Sequence, residues 1–478
     1  MDEGPVLKNL SKIALAALGI LLLGAVVYFK ERMLFADAAY ILFTILNYHS
    51  VAIQEYRYGS FVTQIVPYLG QKLHLPIKAL LAGYAVSFNL FYCAVAALLV
   101  YRYKQYGLAI LMGLYYFLLV SSTYFWISNE IHQAVAWMFL FFGVTIYLGY
   151  KGLNVFLFLL PFLLLAFLTV FTHFIVIIPL VFLWFYFWME RKHWPFSQSR
   201  SLLLSGLLLV VIALKYTFAV SHLSYDSAHL HGVTHFSIND IIQSFAKPVI
   251  IQFLQRCLTN YWIAVIVFIL GIAGLFRNNE KRLLVWAIVS CLGYFIIMGL
   301  TYGDCDANVQ LFHIESEWEC LGIIIATPFV FTLLPTLKFR FAAWFLVILF
   351  GVRLFYICTA IPLFTWRTHF QERVLAQMKK KNITKLVLYD DAPAIRGKYM
   401  LNWGAPYESI LMSAMNGDKP QLTFSFVNRD DKQTISSLVP DKFNSSFGMV
   451  PAGSLDREYF IIDTVHPYQV MTYDDFMK

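Results

Sequence analysis

The sequence predicts an all-α polytopic membrane protein of about eleven transmembrane helices, followed by a small C-terminal α/β domain on the non-cytoplasmic side. Three observations predict it. Hydrophobic residues fill 59% of the 478 positions and charged residues only 13%, with a mean hydropathy of +0.65. A soluble chain of this length cannot hide that much apolar surface, and a bilayer supplies the missing surroundings. Apolar runs long enough to cross about 30 Å of hydrocarbon recur up to residue 362. From Thr365 onward the runs shorten and charges become common.

The first run, Ile13 to Tyr28, follows Lys8 and Lys12 and lacks a small-residue cleavage site, so it reads as a retained signal-anchor helix. Further runs lie near 79–100, 107–126, 133–149, 152–171, 174–189, 201–220, 261–276, 283–301, 319–336 and 341–362. The short loops set the orientation. Arg102 and Lys104, Lys151, Arg191 with Lys192 and Arg200, Arg277 with Lys281 and Arg282, and Lys338 with Arg340 fall on alternate connections. Basic short loops stay in the cytoplasm, which places the amino terminus inside and, with an odd helix count, the carboxyl terminus outside. This retention accounts for the net charge of +8, so no nucleic-acid partner is expected.

The first outer loop, 30–78, holds apolar stretches at Leu34–Leu46 and at Phe61, Ile65, Val66 and Leu69, read as two helices on the membrane surface. A second outer segment, 221–260, carries His229, His231 and His235 and a surface helix from Ile238. Residues 1–364 thus form the membrane domain and 365–478 the soluble one. In the latter, a helix over 370–381, strands at Lys385–Tyr389, Gln421–Val427 and Glu458–Ile462, and a helix at Tyr407–Met415 are expected. Cys93, Cys291 and Cys358 fall in apolar runs and read as packing residues. Cys305 and Cys320 flank an outer segment where a disulfide would be stable.

The polar residues gather on the outer face. Asp37 stands in the apolar stretch Phe35–Tyr40, where a carboxyl costs free energy unless paired or used, and partial burial there would suit it to act as a general base. Glu130 and His132, His173, and then His313, Glu315 and Glu319 are the candidates for orienting a substrate. On a helix Glu315 and Glu319 share one face. Asp304 and Asp306, acids at alternate positions, could hold a divalent cation bridging a diphosphate. No organic cofactor is indicated. Two cations interrupt apolar runs, Lys215 and Arg353, and a phosphate just below the outer headgroups is their expected partner. Each feature also has a plainer account: a helix cap for Asp37, a hydrated turn for Glu130, a packing histidine for His173, snorkelling for Lys215.

One helix, a long outer loop with an acid near its start and two surface helices, many further spans and a trailing outer domain together resemble the GT-C membrane glycosyltransferases, which include the protein O-mannosyltransferases and the lipid A aminoarabinose transferase. Asp37 matches the family's first-loop acid, which would be the catalytic base, and Glu130 its second-loop acid. Asp37 is followed by Ala38, where the family often has a second acid. The resemblance implies a sugar donor linked to polyprenyl phosphate and a lipid, glycan or protein acceptor. It also implies an inverting transfer at the periplasmic or lumenal face, in a bacterial inner membrane. A polysaccharide polymerase or ligase would carry a dominant outer loop with paired arginines, whereas 221–260 has only Arg256. A flippase or transporter would show mid-membrane charges and broken helices in both halves.

Overall fold

The computed structural model describes residues 4–152, 154–222, 236–302, 311–393 and 395–478. It is mostly helical, with a small sheet region near the carboxyl terminus. The chain opens with α1 (Gly4–Val27), α2 (Phe29–Met33), α3 (Asp37–Tyr48) and α4 (Phe61–Lys72). Then come α5 (Ile77–Ala97), extended by a π-turn to Tyr103, α6 (Tyr106–Leu118), α7 (Glu130–Lys151), α8 (Val155–Thr172), α9 (Ile177–Glu190) and α10 (Gln198–Ser221). Helices α11 (Ile238–Ser244), α12 (Pro248–Thr259), α13 (Trp262–Arg277), α14 (Lys281–Thr301), α15 (Leu311–Trp318), α16 (Leu321–Pro328) and α17 (Phe339–Lys380) complete the membrane domain.

Among the described residues, seven helices are long and apolar enough to cross a membrane, or nine if each of two bent pairs counts as one span. The bends are 89° between α12 and α13 and 53° between α15 and α16. These account for at most nine of the expected eleven spans. Each apolar run is helical, but α6 has only 13 residues and Phe174–Glu190 is likewise short of a full crossing. Every residue of α6 is buried, so its length is set by the helices around it and not by lipid. α1 packs on α5, α6 and α17. By contrast α10 turns Leu202, Leu203, Leu209, Val210 and Leu214 outward, the surface a lipid-facing helix shows.

Both helices expected in the first loop form, as α3 and α4, but the expected surface position of α3 is corrected. On α4, Ile65, Val66 and Leu69 are exposed, whereas α3 is buried under the C-terminal domain. That domain contains β1 (Lys385–Tyr389), α18 (Ala405–Met415), β2 (Thr423–Val427), α19 (Lys432–Ser436), β3 (Lys442–Ser445), β4 (Gly448–Pro451), β5 (Gln469–Met471) and α20 (Tyr473–Met477). β2, β1 and β5 form a parallel sheet in that order, and β3 and β4 an antiparallel hairpin. Two expectations here are corrected. Residues 458–462 contribute only the bridge of Ile462 to Gln421 and no strand. The expected helix at 370–381 is the end of α17, a 42-residue helix that runs unbroken past 365. Arg367, Thr368 and Gln371 are buried along it, so the polar positions that resemble a boundary in the sequence are contacts to the domain.

Candidate active site

The site is built where α1 gives way to the first loop. Arg32 on α2 anchors it. Its guanidinium donates to the Tyr124 and Ala85 carbonyls at 3.2 Å each and to Asn89 Oδ1 at 2.6 Å, with its face over the Tyr124 ring. The chain then turns sharply. The Ala38 N–H donates to the Phe35 carbonyl at 3.1 Å, and Ala36 between them has φ +37° and ψ −105°. This is close to the first central position of a type II′ turn, where glycine is the usual occupant. The turn brings Asp37 to the first position of α3 with its side chain toward the bundle.

Asp37 Oδ2 accepts from Trp126 Nε1 at 2.9 Å. The Trp126 ring in turn meets Phe312 and His313 edge-on, at centroid distances of 5.0 and 5.2 Å. Burial pushes the Asp37 carboxyl up to about 6, and the Glu130 charge adds to the rise. The Trp126 hydrogen bond and Arg57 pull the other way. Glu130 accepts from Arg57 Nη1 at 2.7 Å, and both side chains are largely shielded. Asp37, Arg57, Trp126, Glu130 and His313 therefore meet at one end of the bundle. This end also carries the C-terminal domain.

The other predicted residues sort into different places. His132 and Glu319 lie deeper, where His132 Nε2 stands 3.4 Å from Glu319 Oε2 and Nδ1 stands 3.1 Å from the Tyr115 hydroxyl. Asn129 donates to Glu319 Oε1 at 3.1 Å. Both residues are buried, so the expectation that they contact substrate directly is corrected to one of support behind the surface. Glu315 has no exposed surface. It accepts from the backbone N–H groups of Ser121 at 3.0 Å and Thr123 at 2.7 Å, and from the Tyr261 hydroxyl at 3.0 Å. Arg353 is its counterpart, donating to the Phe117 carbonyl at 2.8 Å, the Val120 carbonyl at 2.9 Å, Ser121 Oγ at 3.0 Å and the Asn260 carbonyl. These two residues clamp the turn that ends α6, the cation on its carbonyls and the anion on its amides. The lipid phosphate expected at Arg353 is corrected accordingly, because its three guanidinium nitrogen atoms are already held by protein oxygens. Lys215 is buried with its ammonium 5.7 Å from the Phe171 ring centre. His173 caps the short helical turn after α8, accepting from the Ile175 N–H at 3.3 Å.

Comparison with protein-family models, with curated proteins and with solved structures finds no match. The reading of the site therefore rests on its geometry. No group of three or more His, Cys, Asp or Glu side chains among the described residues could hold a metal ion. Asp304 and Asp306, His229, His231, His235 and Cys305 lie outside the described residues. Cys320, the other half of the expected disulfide, is a buried free thiol.

Sequence reasoning missed Arg57, Trp126 and Glu408. Trp126 stands two residues before the polar run Ser128–Gln133, and an indole N–H at such a boundary needs an acceptor, which is the signal that could have found it. Arg57 is one of several cations in the 30–78 loop, with Lys30, Arg32, Lys72 and Lys78, and nothing local marks it out from them. Glu408 reaches the site from the soluble domain, and nothing local in the sequence links it to Asp37.

Proposed function

We propose that this chain is a membrane glycosyltransferase that moves a sugar from a polyprenyl-phosphate carrier to a hydroxyl on a lipid, glycan or protein acceptor, with Asp37 as the general base. The observation that carries the reading is the state of Asp37. It is a half-buried carboxylate at the end of the bundle, oriented by Trp126 and with its proton affinity raised to about 6. A base with that affinity can take a hydroxyl proton near neutral pH, a contribution typically on the order of 100- to 10,000-fold in rate. Glu130 and His313 border it and are the candidates for holding the sugar. Arg57, the cation that acts on Asp37, replaces Arg353 as the candidate for the leaving phosphate, and Lys215 remains a more distant one. One base and direct displacement would invert the anomeric carbon.

The membrane setting follows the same reading. We infer a bacterial plasma membrane, a cytoplasmic amino terminus and an outward-facing site. Glu130 at one end of α7 and Lys151 at the other illustrate the support for it, acids at the site end and short basic loops at the far end. The broken helices of a transporter are present, but among the described residues both bent pairs fall in the carboxyl-terminal half, not one in each half.

The test is transfer of labelled sugar from a polyprenyl-phosphate carrier, measured at equal folded amounts for the wild type and Asp37→Asn. Asp37→Asn should retain less than about one hundredth of the activity. Activity within a few-fold of wild type would remove Asp37 from the chemistry.

A further inference from the structure

The C-terminal domain reaches the turn that carries Asp37. Glu408, on the first turn of α18, accepts from the Ala36 backbone N–H at 2.6 Å. The same carboxylate is itself fixed: Arg367 donates to it at 2.6 Å, the Tyr399 hydroxyl at 2.8 Å, and Gln371 from α17. The Arg367 guanidinium is sandwiched against Tyr399 at 3.8 Å and Phe35 at 5.1 Å, and it also holds the Met400 and Leu401 carbonyls. Glu408, Arg367, Gln371, Tyr399, Phe35 and Ala36 are all buried.

Gly404 closes the contact. A Cβ there would stand 2.5 Å from Ala36 Cα and 3.0 Å from Ala36 N, and it would also strike Glu408. The backbone of the domain therefore lies directly on the one residue of the turn whose φ is positive. An alanine in that conformation persists only where its surroundings hold it. The surroundings are Gly404 and Glu408, and the next residue along the chain is Asp37. Around α3 the packing is aromatic: Tyr40 meets Tyr407, and Phe43 meets Phe443 and Phe460, at 5.0 to 5.4 Å.

We propose that the C-terminal domain is a positioning element for the membrane site, in which Gly404 and Glu408 hold Ala36 in its strained turn and so aim the Asp37 carboxylate at Trp126. The proposal rests on reading Asp37 as the base only for its consequence in catalysis. The geometry itself is independent of substrate. It assigns the segment Asn402–Glu408 a role: Gly404 meets the turn, Trp403 packs on Tyr40 of α3 and Glu408 supplies the acceptor. A domain that merely rode on the membrane part would need no buried, multiply bonded carboxylate against a single backbone N–H.

The test follows the Trp126 indole N–H resonance in the full-length chain, labelled at tryptophan and assigned with Trp126→Phe. Arg57, Glu130 and His313 also face this site, and Glu408 touches its turn. Asp37→Asn therefore serves to isolate the Asp37 contribution. In the wild type the resonance should move with pH, with a midpoint of about 6, and Asp37→Asn should flatten it. In Gly404→Ala the movement should fall at least about threefold, because the carboxylate no longer faces the indole. Glu408→Asp keeps the charge but withdraws the acceptor from Ala36, and should do the same. Ser413→Ala, elsewhere in the domain, should behave as wild type. A wild-type titration in folded Gly404→Ala or Glu408→Asp overturns the proposal. Collapse of both variants overturns it as well, since the contacts would then hold the fold and not aim the side chain. If Asp37→Asn still transfers sugar, the reading of Asp37 as base fails, while the indole titration, which uses no substrate, still decides the positioning.

Discussion

At Asp37, burial and the Glu130 charge favour the proton, whereas Trp126 and Arg57 favour the anion, and burial dominates. Two consequences follow. Transfer that needs the anion should rise with pH through about 6 and flatten above it, a profile that an initial-rate series would show. Stability should run the opposite way. Between the ordinary 3.8 and about 6 the folded chain keeps a proton that the unfolded chain has released, so stability falls as pH rises through that window. Asp37→Asn removes this cost. Its melting temperature at pH 7 should equal or exceed that of the wild type, and its change in melting temperature between pH 4 and 6 should be smaller. A clear loss of stability at pH 7 would mean that the charged Trp126 contact outweighs the burial.

Arg353 and Glu315 act on the end of α6. A helix end leaves carbonyls without partners, and here the following Ser121–Thr123 turn adds amides that also need them. Arg353 takes the first set and Glu315 the second. Arg353→Met should therefore lower stability by about 3 kcal/mol or more, because it strands several buried carbonyls beside a buried carboxylate. Thermal melting in detergent measures this. If Arg353→Met kept its melting temperature and lost carrier binding instead, the phosphate role would return. Glu315→Gln keeps the acceptor oxygens' shape but presents an amide to N–H groups, and should also destabilise.

The whole molecule joins a membrane bundle to a soluble domain through α17, which passes from one to the other without a break, and through the contact of α3 with α18. The site lies at that junction. The proposed orientation predicts that reporter fusions after Arg102 and Arg282 read cytoplasmic and that one after Lys478 reads outside. A cytoplasmic Lys478 would place the site on the wrong face for an outward-facing transfer.

Composition and apolar periodicity alone determined the membrane class, the apolar helices, the two helices of the first loop and, in the soluble domain, β1, α18 and β2, because hydrophobic spacing is a local property of the chain. Asp37 was legible for the same reason, as an acid that its immediate neighbours cannot solvate. Only the tertiary structure decided which helices are long enough to span, since α6 is surrounded by protein and not by lipid. It also decided that Arg353 faces carbonyls of α6, that Trp126 and Arg57 belong to the site, and that Glu408 reaches Ala36 from 372 positions away. These are contacts between distant parts of the chain. They depend on the folded arrangement of several elements at once, which no local pattern of residues encodes.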